Sequence, residues 1–165
     1  VIATGKRPKM SSKKKSKTGA DAIRLRPHHL LCTQGYSGKG YSEDFVVGMD
    51  HITEQLRKDA DALVEITFST DSICKACPSR VGEGLCRDDE KVLYYDKCVR
   101  EILELEEKTY SYHELIDRLD TYLIASDVDE TAIDGVDRLC SICGDCNWYP
   151  ISACRESILS KRHVK

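Results

Sequence analysis

Apolar residues recur along this chain with two different periods. Ala22 to Arg26 (AIRLR) alternates apolar and polar side chains, and so does Leu63 to Phe68 (LVEITF). Alternation places one set of side chains on each face, so both segments are expected to be short strands. Pro27 ends the first strand and suits the first position of a helix, so His28 to Gln34 is expected to form one or two helical turns closed by Gly35. A loop with three glycines, GYSGKGYS, follows.

Behind Ser42, a good helix cap, Phe45, Met49, Ile52 and Leu56 repeat at helical spacing and predict one buried stripe. From Asp88 the period is helical again, with Val92, Tyr95, Val99 and Ile102 on one face. Ser111 to Glu114 (SYHE) has the S-x-x-E form of a capping box. Leu115, Ile116, Leu119, Tyr122 and Leu123 then make the stripe of a further helix. A terminal helix is expected over 152–162. Periodicity breaks in 71–87, rich in cysteine, proline and glycine, and in a second cysteine cluster over 140–154. The acidic stretch 127–137 reads as a solvated loop, because Asp127, Asp129 and Asp134 lack the glycine and spacing of a calcium loop. The expected fold class is α+β: a small, mainly helical domain with a short two-stranded element and cysteine-rich metal-binding loops.

At 165 residues the chain is long enough for one domain with its own core. Charge divides it in two. Residues 1–20 hold Lys6, Arg7, Lys9, Lys13, Lys14, Lys15 and Lys17 and no acidic group, while the net charge of the whole is −3. Residues 1–20 therefore read as a disordered basic tail and 21–165 as a single acidic domain. An acidic body is a poor nucleic-acid platform, so nucleic acid is an expected partner only through the tail. No run approaches the roughly 20 apolar residues that span a bilayer, and the basic start is not followed by an apolar signal stretch. The chain starts at Val1, and Met10 offers an internal start. A cytoplasmic protein without membrane partners is expected.

Nine cysteines change the picture. An odd number in tight clusters suits a disulfide framework poorly and metal binding well. The first cluster is Cys74-x2-Cys77-Pro78-x7-Cys86; the second is Cys140-x2-Cys143-x2-Cys146, with Cys154 seven residues further on. A C-x2-C turn lets two thiolates converge on one centre. Three cysteines at successive x2 spacings are used by bacterial ferredoxins around a cubane cluster, whereas a zinc site takes its ligands as two separated pairs. The pairs 74/77 and 143/146 suit either metal. Cys98 lies inside a predicted helix and reads as a small buried hydrophobe. Cys140 is either a ligand or a residue preceding the true pair. Cys32 stands one helical turn after His28, so the two could serve one metal or Cys32 could be core. Trp148 and Tyr149 follow Cys146 and would exclude water from a cluster.

Together, RPHHLLC (Arg26 to Cys32), GKGYS (Gly38 to Ser42), DSICKACP with Cys86, and ICGDCNW with Cys154 resemble the domain of unknown function 1284 family over about residues 22–155. These are small bacterial and archaeal proteins of unknown function that are taken to bind iron–sulfur. The resemblance implies metal ligands at Cys32, Cys74, Cys77, Cys86, Cys143, Cys146 and Cys154, and leaves Cys98 and Cys140 as extras. Seven thiols exceed the four that one cubane needs. One arrangement, preferred on the sequence, gathers a single [4Fe–4S] cluster from both loops. The other has two centres, with Cys32 completing one set. The expected role is electron transfer or redox sensing with an unknown redox partner. The alternatives are a cluster-dependent enzyme using His28 or His29 beside an open iron, and a structural zinc module that binds a partner.

Overall fold

A computed structural model describes residues 22–124 and 138–159. The basic tail expected over 1–20, the acidic loop over 127–137 and the end of the terminal helix past 159 lie outside the described residues. Strand β1 (Ile23–Leu25) leads through helices α1 (His29–Gly35) and α2 (Glu43–Lys58) into β2 (Leu63–Ile66). A 3-10 turn (Ile73–Ala76) and a hairpin of β3 (Arg80–Gly82) and β4 (Leu85–Cys86) precede α3 (Asp89–Leu103). Strand β5 (Thr109–Ser111), α4 (Tyr112–Ile124), α5 (Arg138–Cys143) and α6 (Cys154–Leu159) complete the order. The fold is α+β and mainly helical, as the periodicity predicts.

The two predicted strands pair in parallel, Ile23 opposite Val64 and Leu25 opposite Ile66. Alternation sends Leu25, Val64 and Ile66 into the core, while Arg24 and Glu65, side by side, form an ion pair at 3.6 Å. Two further elements were not expected. β5 pairs antiparallel with the other edge of β2, so the sheet has three strands in the order β1-β2-β5. The β3–β4 hairpin lies inside the segment read as a loop.

Helix α2 starts where Ser42 Oγ accepts the amide of Phe45. Glu43 and Asp44 lie in its first turn and Arg57 and Lys58 in its last, which complements the helix dipole at both ends. Ser111 caps α4 by accepting the Glu114 amide. Both helices bury the expected stripe. Leu56, Val99, Leu115 and Leu119 are fully buried together with Leu25, Leu30, Val64 and Leu139, so one core joins the sheet to α1 through α5. Beneath α1, the Tyr112 hydroxyl meets Thr33 Oγ1 at 2.9 Å and accepts from Gln34 Nε2 at 2.6 Å, which satisfies three buried polar groups at once. No helix among the described residues is long and apolar enough to cross a membrane.

Leu119→Ala is expected to cost about 2–5 kcal/mol, the range for deleting a buried leucine. Val47→Ala, on the exposed side of α2, should change stability by less than about 0.5 kcal/mol. Urea unfolding of the two variants beside the parent checks both.

Candidate metal centre

Three distant parts of the chain meet around a cavity of about 190 Å³. Helix α1 and the residues before it supply Cys32, His28 and His29; the loop and hairpin after β2 supply Cys74, Cys77 and Cys86; the end of α5, its following turn and the start of α6 supply Cys143, Cys146 and Cys154. All seven cysteines singled out by the family pattern line this one cavity. The other two do not. Cys98 packs partly buried against the core, and Cys140 is exposed. All nine are free thiols.

Local backbone chemistry aims the first group. Asp71 Oδ1 accepts the amides of Ile73 and Cys74 at 2.9 and 3.0 Å, an Asx turn that starts the 3-10 turn. The Cys77 amide donates back to Cys74 O, and the Arg80 amide to Cys77 O. Gly84, at φ +71°, makes the hairpin turn that a residue with a side chain would strain. Register then sets Cys86 opposite Arg80, which returns the third thiol to the C-x2-C turn.

The second group is built in the same manner. The Cys146 amide donates to Cys143 O, and the Tyr149 amide to Cys146 O. Helix α6 lies close on α1 because residue 35 is glycine: a Cβ there would stand 3.0 Å from Cys154 Sγ and 3.1 Å from Ile158 Cδ1. Cys32 precedes Gly35 by three residues, on the same face of α1, so this packing brings Cys32 toward Cys154.

A charged network forms the floor. Arg26 is buried, and its Nε donates to Asp96 Oδ2 at 2.7 Å. Asp96 Oδ1 accepts the His28 amide at 3.1 Å and meets His28 Nδ1 at 2.6 Å. Asp71 Oδ2 accepts the Arg26 amide at 2.6 Å and meets His29 Nδ1 at 2.6 Å. The two imidazoles lie 4.2 Å apart. A carboxylate at Nδ1 fixes the proton there and leaves Nε2 as the free lone pair. Burial and the neighbouring His29 lower the His28 pKa to about 4. Burial opposes the charge on Asp96, yet hydrogen bonds from His28 and the charges of His28 and Arg26 hold its carboxyl below the ordinary range.

Cys32, Cys74 and Cys154 are displaced the other way. Burial, followed by Cys146, Cys143 and Cys154, pushes Cys32 well above the usual thiol range. Burial and then the Asp71 charge push Cys74 up to about 12. Burial also raises Cys154. Several thiolates cannot coexist in such a site without a cation among them, and thiolate is the form that binds metal. His29, Asp71 and Cys74 form a group whose donor atoms all lie within 4.8 Å of one another.

The rest of the wall is largely aromatic. Trp148 and Tyr149 line it as expected, joined by Tyr41 and Phe45; Tyr41 stands edge-on to Trp148 at 5.0 Å and to Phe45 at 5.2 Å. Tyr95 also lines the cavity, and among the described residues its buried hydroxyl has no hydrogen-bond partner. Burial and then Cys146 raise its pKa to about 12.

Sequence reasoning missed Asp71, Asp96 and Tyr95 as site residues. Asp96 had a signal: it lies four residues after Val92 and three before Val99, on the apolar face of α3, where an unpaired carboxylate would be costly.

Asp96→Asn is expected to destabilise the protein by about 3–5 kcal/mol, because it leaves the buried Arg26 cation without its counter-charge. The wild-type Asp96 contribution is fully present above the ordinary carboxylate pKa and is lost as pH falls below it. The variant should accordingly show a shallower acid limb. Urea unfolding across pH 3–7 measures both effects.

A family model described as a protein of unknown function (DUF1284) matches residues 40–152, more than half of the chain. The match takes in Cys74, Cys77, Cys86, Cys143 and Cys146, and leaves Arg26 to Cys32 and Cys154 outside it. No curated protein and no solved structure matches. The chain therefore belongs to the DUF1284 family of proteins of unknown function.

Proposed function

We propose that this protein carries an iron–sulfur cluster, a single [4Fe–4S] held by Cys32, Cys143, Cys146 and Cys154, and that it works in electron transfer or redox sensing with a partner yet to be identified. The carrying observation is the sorting of the nine cysteines: the seven of the family pattern share one cavity, and Cys98 and Cys140 stand outside it.

The spacing and softness of the donors favour a cluster over a lone ion at the Cys32 set. A tetrahedral zinc with Zn–S bonds of about 2.3 Å draws its sulfurs to within about 4 Å of each other. Among the described residues, the donor group that meets even 4.8 Å is His29, Asp71 and Cys74, not the Cys32 set. The cavity of about 190 Å³ is shared by all seven thiols. Four soft thiolates suit iron–sulfur. When bound, a cluster supplies a redox couple whose potential depends on its hydrogen bonds and solvent exposure.

The chain's own side chains serve that role. Trp148, Tyr149 and Phe45 exclude water. Tyr95 brings an O–H without a partner among the described residues to the side of the cavity where Cys143 and Cys146 act on it, a hydrogen bond that a sulfur can take. Tyr41 lines the cavity and is also half exposed, which brings the site within one aromatic ring of the surface.

Protein purified without oxygen should contain about four irons and four acid-labile sulfides per chain, with a visible band that bleaches and returns on a redox cycle. Cys143→Ser and Cys146→Ser should each cut iron content several-fold, whereas Cys98→Ser and Cys140→Ser should leave it unchanged. Zinc without sulfide, or equal iron loss in all four variants, would reject the reading. Iron loss of the same size in Cys74→Ser and Cys77→Ser would mean instead that one cluster draws on both loops.

A further inference from the structure

Assigning four thiols to a cluster leaves Cys74, Cys77 and Cys86 in the same cavity. We propose that Cys74 and Cys77 are a redox-active pair that exchanges with a disulfide-bearing substrate. The proposal rests on the preceding reading only in reserving Cys32, Cys143, Cys146 and Cys154 for the cluster.

A lone ion is a poor occupant of this loop. A tetrahedral zinc draws its sulfurs to within about 4 Å of each other, and among the described residues no three of Cys74, Cys77, Cys86 and His29 have their donor atoms within 4.8 Å. A disulfide needs only two sulfurs. The Cys77 amide donates to Cys74 O at 3.1 Å across the 3-10 turn. A bond from residue i+3 back to residue i holds their Cα atoms less than about 7 Å apart, and disulfides span Cα separations of about 4.4–6.8 Å. Both thiols are free and only partly buried. Lys75 and Pro78 beside them are exposed, so a second disulfide can reach the pair.

The turn is held from outside. Asp71 Oδ1 accepts the amides of Ile73 and Cys74, and the Arg80 amide donates to Cys77 O, so the sulfurs can join by side-chain rotation alone. Only two residues separate the cysteines. So short a loop gives the bond little stabilisation from chain entropy, which suits a bond that is made and broken. Asp71 also divides the work. One of its carboxylate oxygens lies within 4.8 Å of Cys74 Sγ, so a thiolate there meets a like charge, whereas a disulfide sulfur is neutral. Cys77 is accordingly the attacking thiolate and Cys74 the resolving thiol.

In the exchange, Cys77 attacks one sulfur of the substrate disulfide, that S–S bond breaks, and the first half leaves as a thiolate. Cys74 then attacks Cys77 Sγ in the mixed disulfide and expels the second half. The two thiol protons pass to the two thiolates released. The substrate has gained two electrons and two protons, and the protein holds a Cys74–Cys77 disulfide. An external dithiol reverses both steps.

The test uses the full chain, purified without oxygen and with its iron and sulfide counted. It is poised in mixtures of reduced and oxidised glutathione, free thiols are alkylated at each ratio, and linked peptides are read by mass spectrometry. The expected result is one disulfide, Cys74–Cys77, reversed by dithiothreitol, at unchanged iron. Cys74→Ser should accumulate a glutathione adduct on Cys77, and Cys77→Ser should react about 10-fold more slowly. Faster exchange with insulin than with oxidised glutathione would name a protein disulfide as the substrate, and the reverse a small one. Should a serine variant fail to fold, the peptide map of the parent decides. Two thiols that stay reduced at every ratio, a disulfide through Cys86, or iron lost in step with the new bond would overturn the proposal. A Cys74–Cys77 disulfide in protein that carries neither iron nor sulfide would uphold it and reject the cluster.

Discussion

A buried cation organises this molecule. Arg26 is withdrawn from water at the end of β1, and a guanidinium in that position costs several kcal/mol unless its charge and donors are met. Asp96 of α3 meets the side chain and Asp71 of the cysteine loop meets the main chain. Each carboxylate then uses its remaining capacity on a histidine. Four consecutive residues, Arg26 to His29, are thereby tied to two elements distant in sequence. The direction in which α1 leaves the sheet, and with it the position of Cys32, follows from those bonds.

This arrangement explains what could and could not be read from the sequence. Long stripes with a cap, as in α2 behind Ser42 and α4 behind Ser111, are legible because burial and capping agree over many residues. β5 is three residues long, too short to show alternation, and forms because the free edge of β2 needs a partner for its backbone groups. The β3–β4 hairpin hides in glycine-rich sequence that looks like loop. The family resemblance singled out the seven thiols that line the cavity, while spacing alone left Cys32 and Cys140 open. Spacing could not reveal that Asp71 and Asp96 face the two histidines, since those pairs join residues about 40 and 70 positions apart.

The cavity also makes stability conditional. A domain of this size normally fills its interior, yet here a substantial volume is surrounded by thiols, and burial opposes the ionisation of Cys32, Cys74 and Cys154. Helices α5 and α6 are six residues each, far below the roughly 12–15 residues at which a helix is marginal alone. Their order depends on Leu139, Ile142 and Ile158 in the core and on whatever the neighbouring cysteines hold. Where such a cavity takes up a metal, occupancy and folding become one equilibrium.

The contact between Gly35 and Cys154 has a consequence for biosynthesis. Helix α1 emerges early from the ribosome, and the helix that covers its glycine face comes late. Until then the nascent chain displays Cys32 beside an open apolar groove, without its companion thiols. Cys32 therefore meets Cys143, Cys146 and Cys154 only once the segment that runs into α6 has been made. Cys74, Cys77 and Cys86 lie close together in sequence, by contrast, and their turn and hairpin can form before α6 exists.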